Sequence, residues 1–341
     1  MSLQSGKLPP AMLAELLARL PRRDPRVLVG PGIGRDAAVI DLGDRLLVAK
    51  TDPVTFATDQ VGWYAVNVNA NDVACMGARP AWFLATALLP AGSPESLASD
   101  IFDQLITACD ALDIELIGGH TEVTSGIERP IIVGAMLGEA APDEIVTGEN
   151  ITAGDAVLLT KGIAIEGTAL LARDAQATLA RLDVPAETVE GARQMLFAPG
   201  ISVVRDAATI CSVTRPRLMH DPTEGGIATA LHEMAQAAAA PIAVDIEAIR
   251  VFDETRAVCR ALGLDPMGLL ASGALLAIVA AEDAGRVKQA LHSEGIGCEL
   301  IGRVGSGQPG VILDSGQQAT PLPAFARDEI ARFYDELQEG L

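Results

Sequence analysis

The chain has 341 residues, 49% hydrophobic and 21% charged, which is enough for two globular domains with sizeable cores. Its formal net charge of −20, from 45 acidic and 25 basic residues, repels a phosphate backbone and excludes nucleic acid as an expected partner. The five cysteines (Cys75, Cys109, Cys211, Cys259, Cys298) form no CxxC pair, which argues against a disulfide framework or structural zinc and for a reducing cytoplasm.

No apolar run is expected to reach the ~18 residues of a membrane-spanning helix, and the N-terminus lacks a signal peptide's apolar core. Leu13, Leu16, Leu17 and Leu20 recur at helical spacing, so a first amphipathic helix is expected over roughly residues 10–20, ended by Pro21 and Pro25. A glycine-rich stretch follows, then two short apolar runs around Gly43 and Asp44, which read as a β-hairpin behind a glycine loop. "VGWYAVNVNANDVACMGA" reads as a helix with Gly77 at its C-terminal cap. "AWFLATALLP" is an expected strand. "SPESLASDIFDQLITACDALDI" is a helix with Ser93 at its N-cap. "ELIGGHTE" reads as a strand running into a glycine turn, and "RPIIVGAMLGEA" as another strand.

The turn-rich stretch "APDEIVTGENITAGDAV" places a domain boundary near residue 150. The expected organisation is a helical segment over residues 1–29, an α/β domain over 30–150 and an α+β domain over 151–341. In the second half "AVLLTKG" reads as a strand, and a long helical region to about residue 212 breaks near Ala198–Gly200. "RLMHDPTEGGIATALHEMAQAA" is a loop feeding a helix, and a final helix presents Ile330, Phe333, Tyr334 and Leu337 at helical spacing.

Polar loops interrupt these apolar elements. "GPGIGRDAA" is either a plain glycine turn or a ligand loop; a strand rather than a helix follows it, which counts against a dinucleotide fold. In "HDPTEGG", Asp221 or Thr223 is either a helix cap or, with Gly225, part of a phosphate or metal site at a helix N-terminus. His120 and His220 read as hydrogen-bonded structural residues, and Cys75 as a small buried side chain. No GxSxG or P-loop string occurs. Asn and Asp are poor mid-helix residues without a task, yet Asn67, Asn69, Asn71 and Asp72 occupy one helix. Asn69 and Asp72, at i, i+3, are expected to face a metal–nucleotide site. Asp36, Asp52 and Asp72 end successive elements. An acidic pocket of this kind holds polyphosphate through Mg²⁺ rather than directly.

Taken together and in order, "GIGRDAAV", "TD", "NVNANDVACMGARP", "GGHTE" and "HDPTEGG" resemble the PurM-like superfamily of ATP-binding proteins, over about residues 30–310. "DPTEGGIATAL" leans toward its HypE-like, AIR synthase-related branch. The resemblance implies an α/β N-terminal domain that forms a barrel in a homodimer, an α+β C-terminal domain, and bound ATP and Mg²⁺. It implies Mg²⁺ or phosphate contacts at Asp36, Asp52 and Asp72, and a phosphate-side loop at Gly118, Gly119 and Thr121. Nucleotide contacts are further expected at Gly32, Gly34, Arg35, Asn69, Thr223 and Gly225, with Asp72 and Asp221 on the catalytic side. Arg35 stands where the family commonly has Asp, removing one metal ligand and adding a charge that can meet phosphate. "GGHT" and "DPTEGG" depart from the strings of thiamine-monophosphate kinases. The terminal cysteine that carries a carbamoyl group in HypE has no counterpart in "DELQEGL". The expected activity is Mg²⁺-dependent phosphoryl transfer from ATP to an unidentified small-molecule or protein acceptor, with no nucleic-acid or membrane partner. The alternatives are a small-molecule kinase and a non-catalytic ATP-binding assembly protein.

Overall fold

The computed structural model describes residues 8, 10–21, 23–32, 37–314 and 319–339. The chain divides into one unit of Arg22–Pro31 and Arg35–Ile145, and another of Met1–Pro21, Gly32–Gly34 and Val146–Leu341. The expected first helix is α1 (Pro10–Leu17).

In the first of these units β1 (Val27–Val29), β2 (Ala38–Asp41) and β3 (Leu46–Val54) come before helix α2 (Val61–Cys75). Then follow β4 (Arg79–Pro90), α3 (Glu95–Ala111), β5 (Glu115–Thr124) and β6 (Ile131–Ala140). The sheet order is β1-β2-β3-β6-β4-β5, and the β4–β5 pair is its parallel one. The β2–β3 hairpin forms as expected, turning at Gly43, whose φ of 104° suits a residue without Cβ. Burial alternates along β4 and β6, as a sheet covered on one face requires. Helix α2 lies on β3, β4 and β6, and α3 packs on α2. On the opposite face Trp82, Leu84, Leu88, Val133 and Leu137 are only half-buried, and β5 is an exposed edge strand.

Two local expectations need correction here. "GGHTE" does not turn: β5 continues through it to Thr124, with Gly119 so close to β4 that a Cβ would stand 1.9 Å from the Ala85 carbonyl oxygen. Ser93 is not the cap of α3; Pro94 holds that position without a side-chain bond. The short strand β1, too brief to leave a periodic signal, was not anticipated. Gly77 does follow α2 with φ 79°.

The second unit begins with β7 (Ala156–Thr160), α4 (Ile165–Asp174), α5 (Gln176–Arg181) and α6 (Ala186–Gln194). A helical turn over Leu196–Gly200 leads to α7 (Val204–Val213), β8 (Leu218–His220), α8 (Gly226–Ala237) and β9 (Pro241–Asp245). Then come α9 (Asp253–Leu262), β10 (Leu276–Val279), α10 (Ala284–Ser293) and β11 (Cys298–Val304). Finally β12 (Gly310–Asp314), β13 (Ala319–Pro321) and α11 (Glu329–Glu339) complete it. Its sheet runs β13-β12-β9-β11-β7-β10-β8, with every residue of β7 and β10 buried. The stretch Ala186–Val213 does have the length and hydropathy of a candidate membrane span, contrary to expectation. It is not one helix, because Ala198 leaves helical geometry (φ −143°, ψ 108°) at the anticipated break.

Candidate functional site

The first unit gathers its charged residues where an apolar strand face ends. Leu46, Val48, Lys50 and Asp52 alternate onto the same face of β3; the first two are buried, the last two lie at its margin. Asp52 is opposite Gly134 of β6 in the ladder. A Cβ on Gly134 would come within 2.4 Å of the Asn69 Nδ2, so this glycine makes room for the α2 side chain.

Asn69 resolves the oddity of a polar helix. Its Oδ1 accepts from the Asp52 N–H at 2.8 Å, and its Nδ2 donates to the carbonyls of Asp52 at 3.2 Å and Ala65 at 2.9 Å. The side chain is fully buried. Asn69 therefore fastens α2 to β3, with its acceptor and both donors engaged inside the protein. Asn67 Nδ2 similarly donates to Trp63 O at 2.8 Å. Asp72 lies one turn further along, almost fully buried, with its Oδ2 3.0 Å from Lys50 Nζ. The same ammonium is 3.5 Å from Asp52 Oδ2. Two of the expected metal-binding carboxylates are thus together, joined by a lysine. Among the described residues no group of three acidic, histidine or cysteine side chains is arranged to hold a metal ion. Gly34, Arg35 and Asp36 lie outside the described residues, while Gly32 is half-buried just before them.

Gly118, Gly119 and Thr121 are exposed on β5. Gly119 lies in the same ladder row as Asp52, through Ala85 and Gly134, three strands away. Three interstrand spacings amount to roughly 14 Å, so within one sheet these glycines do not meet the Asp52–Asp72 pair. His120 is exposed, 3.5 Å from Glu122.

In the second unit, the loop after β8 is glycine-dependent. Gly225 (φ 80°) and Gly226 (φ 63°) turn the chain into α8 so tightly that a Cβ on Gly226 would stand 2.5 Å from Met267 O. Gly225 itself holds the N-cap position of α8. The amides at this helix start are engaged internally. Gly225 N–H donates to Asp328 Oδ2 at 2.6 Å, Gly226 N–H to Thr223 O at 3.0 Å, and Ala228 N–H to Met267 O at 3.1 Å. Gly225 holds the turn at a positive φ that suits glycine, and Thr223, half-buried, contributes its carbonyl to it. Asp221 is buried beside the bonded pair His220 Nε2–Glu233 Oε2 (2.9 Å).

Two buried acids here were not anticipated. Burial pushes the Glu166 carboxyl, in the first turn of α4, up to about 7; a Ser272 hydrogen bond opposes this, and Asp328, Asp221 and Glu224 add to it. Burial also raises Asp328, to about 6, against backbone N–H bonds from Ile330, Gly225 and Leu270, with Glu224 adding to the rise. The available sequence signal was an isolated Glu between apolar residues in "IAIEGTALL". A site so rich in carboxylates repels free phosphate and suits a cation or a proton-transfer step.

The models of the AIR synthase related protein N-terminal and C-terminal domains match residues 34–140 and 152–314. Over 309 residues the chain is 28% identical to a putative hydrogenase expression/formation protein of Methanocaldococcus jannaschii, covering 86% of this chain and 88% of the relative. It is 30% identical over 283 residues to carbamoyl dehydratase HypE of Rhizobium leguminosarum bv. viciae, covering 80% and 77%. A crystal structure of hydrogenase maturation protein HypE in complex with ATP has the same fold: TM-score 0.71, 24% identity, 96% of this chain and 98% of that one covered.

Proposed function

Because the chain belongs to the AIR synthase related protein family, we propose that it is a HypE-like enzyme that binds ATP with Mg²⁺ and activates an acceptor by phosphoryl transfer. The observation that carries this reading is the Asp52–Asp72 pair closed around one ammonium group. That donor set suits a cation. With only two carboxylates it suits Mg²⁺ arriving with phosphate oxygens rather than a stand-alone metal cage. Bound there, Mg²⁺ would neutralise charge on the transferring phosphoryl group. Asp52 and Asp72 would orient the metal–phosphate unit, held in register by Asn69. Within the second unit, taken by itself, Glu166 and Asp221 are candidates for holding a proton.

Four of the five cysteines of this sequence are poor carriers of a carbamoyl group. Cys75, Cys109, Cys259 and Cys298 are buried, and burial pushes the Cys109 thiol up to about 11 and those of Cys259 and Cys298 up to about 12. The acceptor in this proposal is therefore an oxygen or nitrogen nucleophile, on a small molecule or a partner protein. Intact-mass analysis after incubation with ATP and a carbamoyl-donating enzyme should show no adduct on these cysteines; a carbamoyl or cyano adduct would overturn that part. The working compartment in this reading is the cytoplasm.

Calorimetry with a non-hydrolysable ATP analogue tests the main proposal. Binding should need Mg²⁺ and fall at least tenfold in EDTA. Asp72→Asn should weaken it by a similar factor, whereas Asp44→Asn, in the exposed hairpin turn, should leave it unchanged. Equal affinity with and without metal would refute it.

A further inference from the structure

Lys50 bridges the two carboxylates proposed above to hold the metal. Its Nζ stands 3.0 Å from Asp72 Oδ2 and 3.5 Å from Asp52 Oδ2. Asp72 is nearly buried, Lys50 four-fifths buried and Asp52 more exposed, so the ammonium neutralises the inner carboxylate and leaves the outer one facing solvent. The placement follows from the backbone: Lys50 and Asp52 alternate onto one face of β3, and Asn69 clamps that strand to the helix bearing Asp72.

We infer that Lys50 is an internal competitor for the metal: it pairs with Asp72, and more loosely with Asp52, until a metal–phosphate unit displaces its ammonium, which then pairs with phosphate. The name of the metal and of its phosphate ligand rests on the proposed function; the competition itself does not. Mg²⁺ sits ~2.1 Å from carboxylate oxygen, and a second full cation within hydrogen-bond distance of the same oxygens would be strongly repelled. One of the two must leave. Lysine has a flexible four-carbon stem and a point charge, so it can swing out without moving the strand. A bare metal ion would have to displace it without offering a new anionic partner. A metal carrying phosphate supplies that partner, so metal and nucleotide enter together. This makes Lys50 a specificity-determining residue against metal without nucleotide.

The test is Mn²⁺ alone, without nucleotide, titrated into the full chain and followed by loss of the free-ion electron paramagnetic resonance signal. Lys50→Gln should bind Mn²⁺ at least tenfold more tightly than wild type. Lys50→Arg, which keeps the charge, should stay within about twofold of wild type, and adding Asp52→Asn to Lys50→Gln should abolish the gain. Unchanged or weaker Mn²⁺ binding by Lys50→Gln overturns the inference. If that variant does not fold, the wild type decides through chemical labelling of Lys50 read by mass spectrometry. Millimolar Mn²⁺ with inorganic triphosphate should change the labelling rate severalfold as the amine leaves the carboxylates, whereas Mn²⁺ alone should leave it near the metal-free rate; release by Mn²⁺ alone, or no change with both, overturns the inference. An ATP analogue titrated into the same proteins separates the two claims. Tight Mn²⁺ binding by Lys50→Gln without any nucleotide binding would uphold the competition and sink the proposed function.

Discussion

Asn69 shows how one buried amide decides the position of two elements. It replaces ladder-like hydrogen bonds between β3 and a helix, and each of its polar atoms has a partner. Asn69→Ala would leave the Asp52 N–H and C=O without these partners, at a cost of ~2–4 kcal/mol. Urea unfolding should show that loss, and nucleotide affinity should fall with it because Asp52 shifts. Glu166 makes a pH-dependent contribution. Its folded pKa, about 7, is above its ordinary value of 4.5, so folding takes up a proton. The stability it contributes is fully present below pH 4.5 and is lost as pH rises through 7. Asp328, raised from 3.8 to about 6, acts in the same sense over a lower window. Glu166→Gln should therefore flatten the fall of melting temperature between pH 4.5 and 7, measured by calorimetry. A pH dependence identical to wild type would contradict this assignment.

At the scale of elements, close approach explains which glycines matter. The Gly119 Cβ position, 1.9 Å from Ala85 O, means that Gly119→Ala should pull β5 away from β4. It should destabilise the protein by more than ~2 kcal/mol, as expected for overpacking against immovable backbone at a positive φ. Gly285, inside α10, has nothing within 4 Å of its Cβ position. Gly285→Ala should stabilise by up to ~1 kcal/mol, since the helix then gains alanine's higher propensity. Thermal unfolding of the two variants side by side checks both signs. Asp328 ties three segments together: its Oδ1 accepts from Ile330 N–H at 2.7 Å and its Oδ2 from Gly225 N–H, with Leu270 bonded to it as well. It thereby anchors the start of α11, whose Ile330 and Phe333 are buried. Asp328→Ala should loosen α11 and the 221–226 loop together, seen as faster amide exchange in both segments.

For the whole molecule, the open first sheet bears on association. An exposed ten-residue edge strand and a half-buried apolar face are features that proteins cover. A second copy around a two-fold axis would cover both, and a homodimer is the assembly proposed here. Sedimentation should show a dimer at micromolar concentration; a stable monomer would contradict it. The net charge of −20 argues that such a dimer is held by apolar and backbone contacts rather than by charge pairing.

Side-chain spacing together with turn and cap residues was sufficient for the main helices and strands, the β2–β3 hairpin, the break at Ala198 and the cap at Gly77. These depend on local geometry: side-chain spacing, a positive φ, a missing Cβ. The ordered motifs were likewise enough to indicate the family. What the side chains do there was decided by tertiary structure. "NVNAND" announces buried polar groups, yet whether an amide meets a ligand or a neighbouring strand depends on which atoms lie within 3 Å of it. That is how Asn69 became a clamp, Gly225 a hinge bonded to Asp328, and Lys50 the partner of two carboxylates. Nothing local to Glu166 marks it, because the burial that raises its pKa comes from segments around Leu270 and Ser272, distant in sequence.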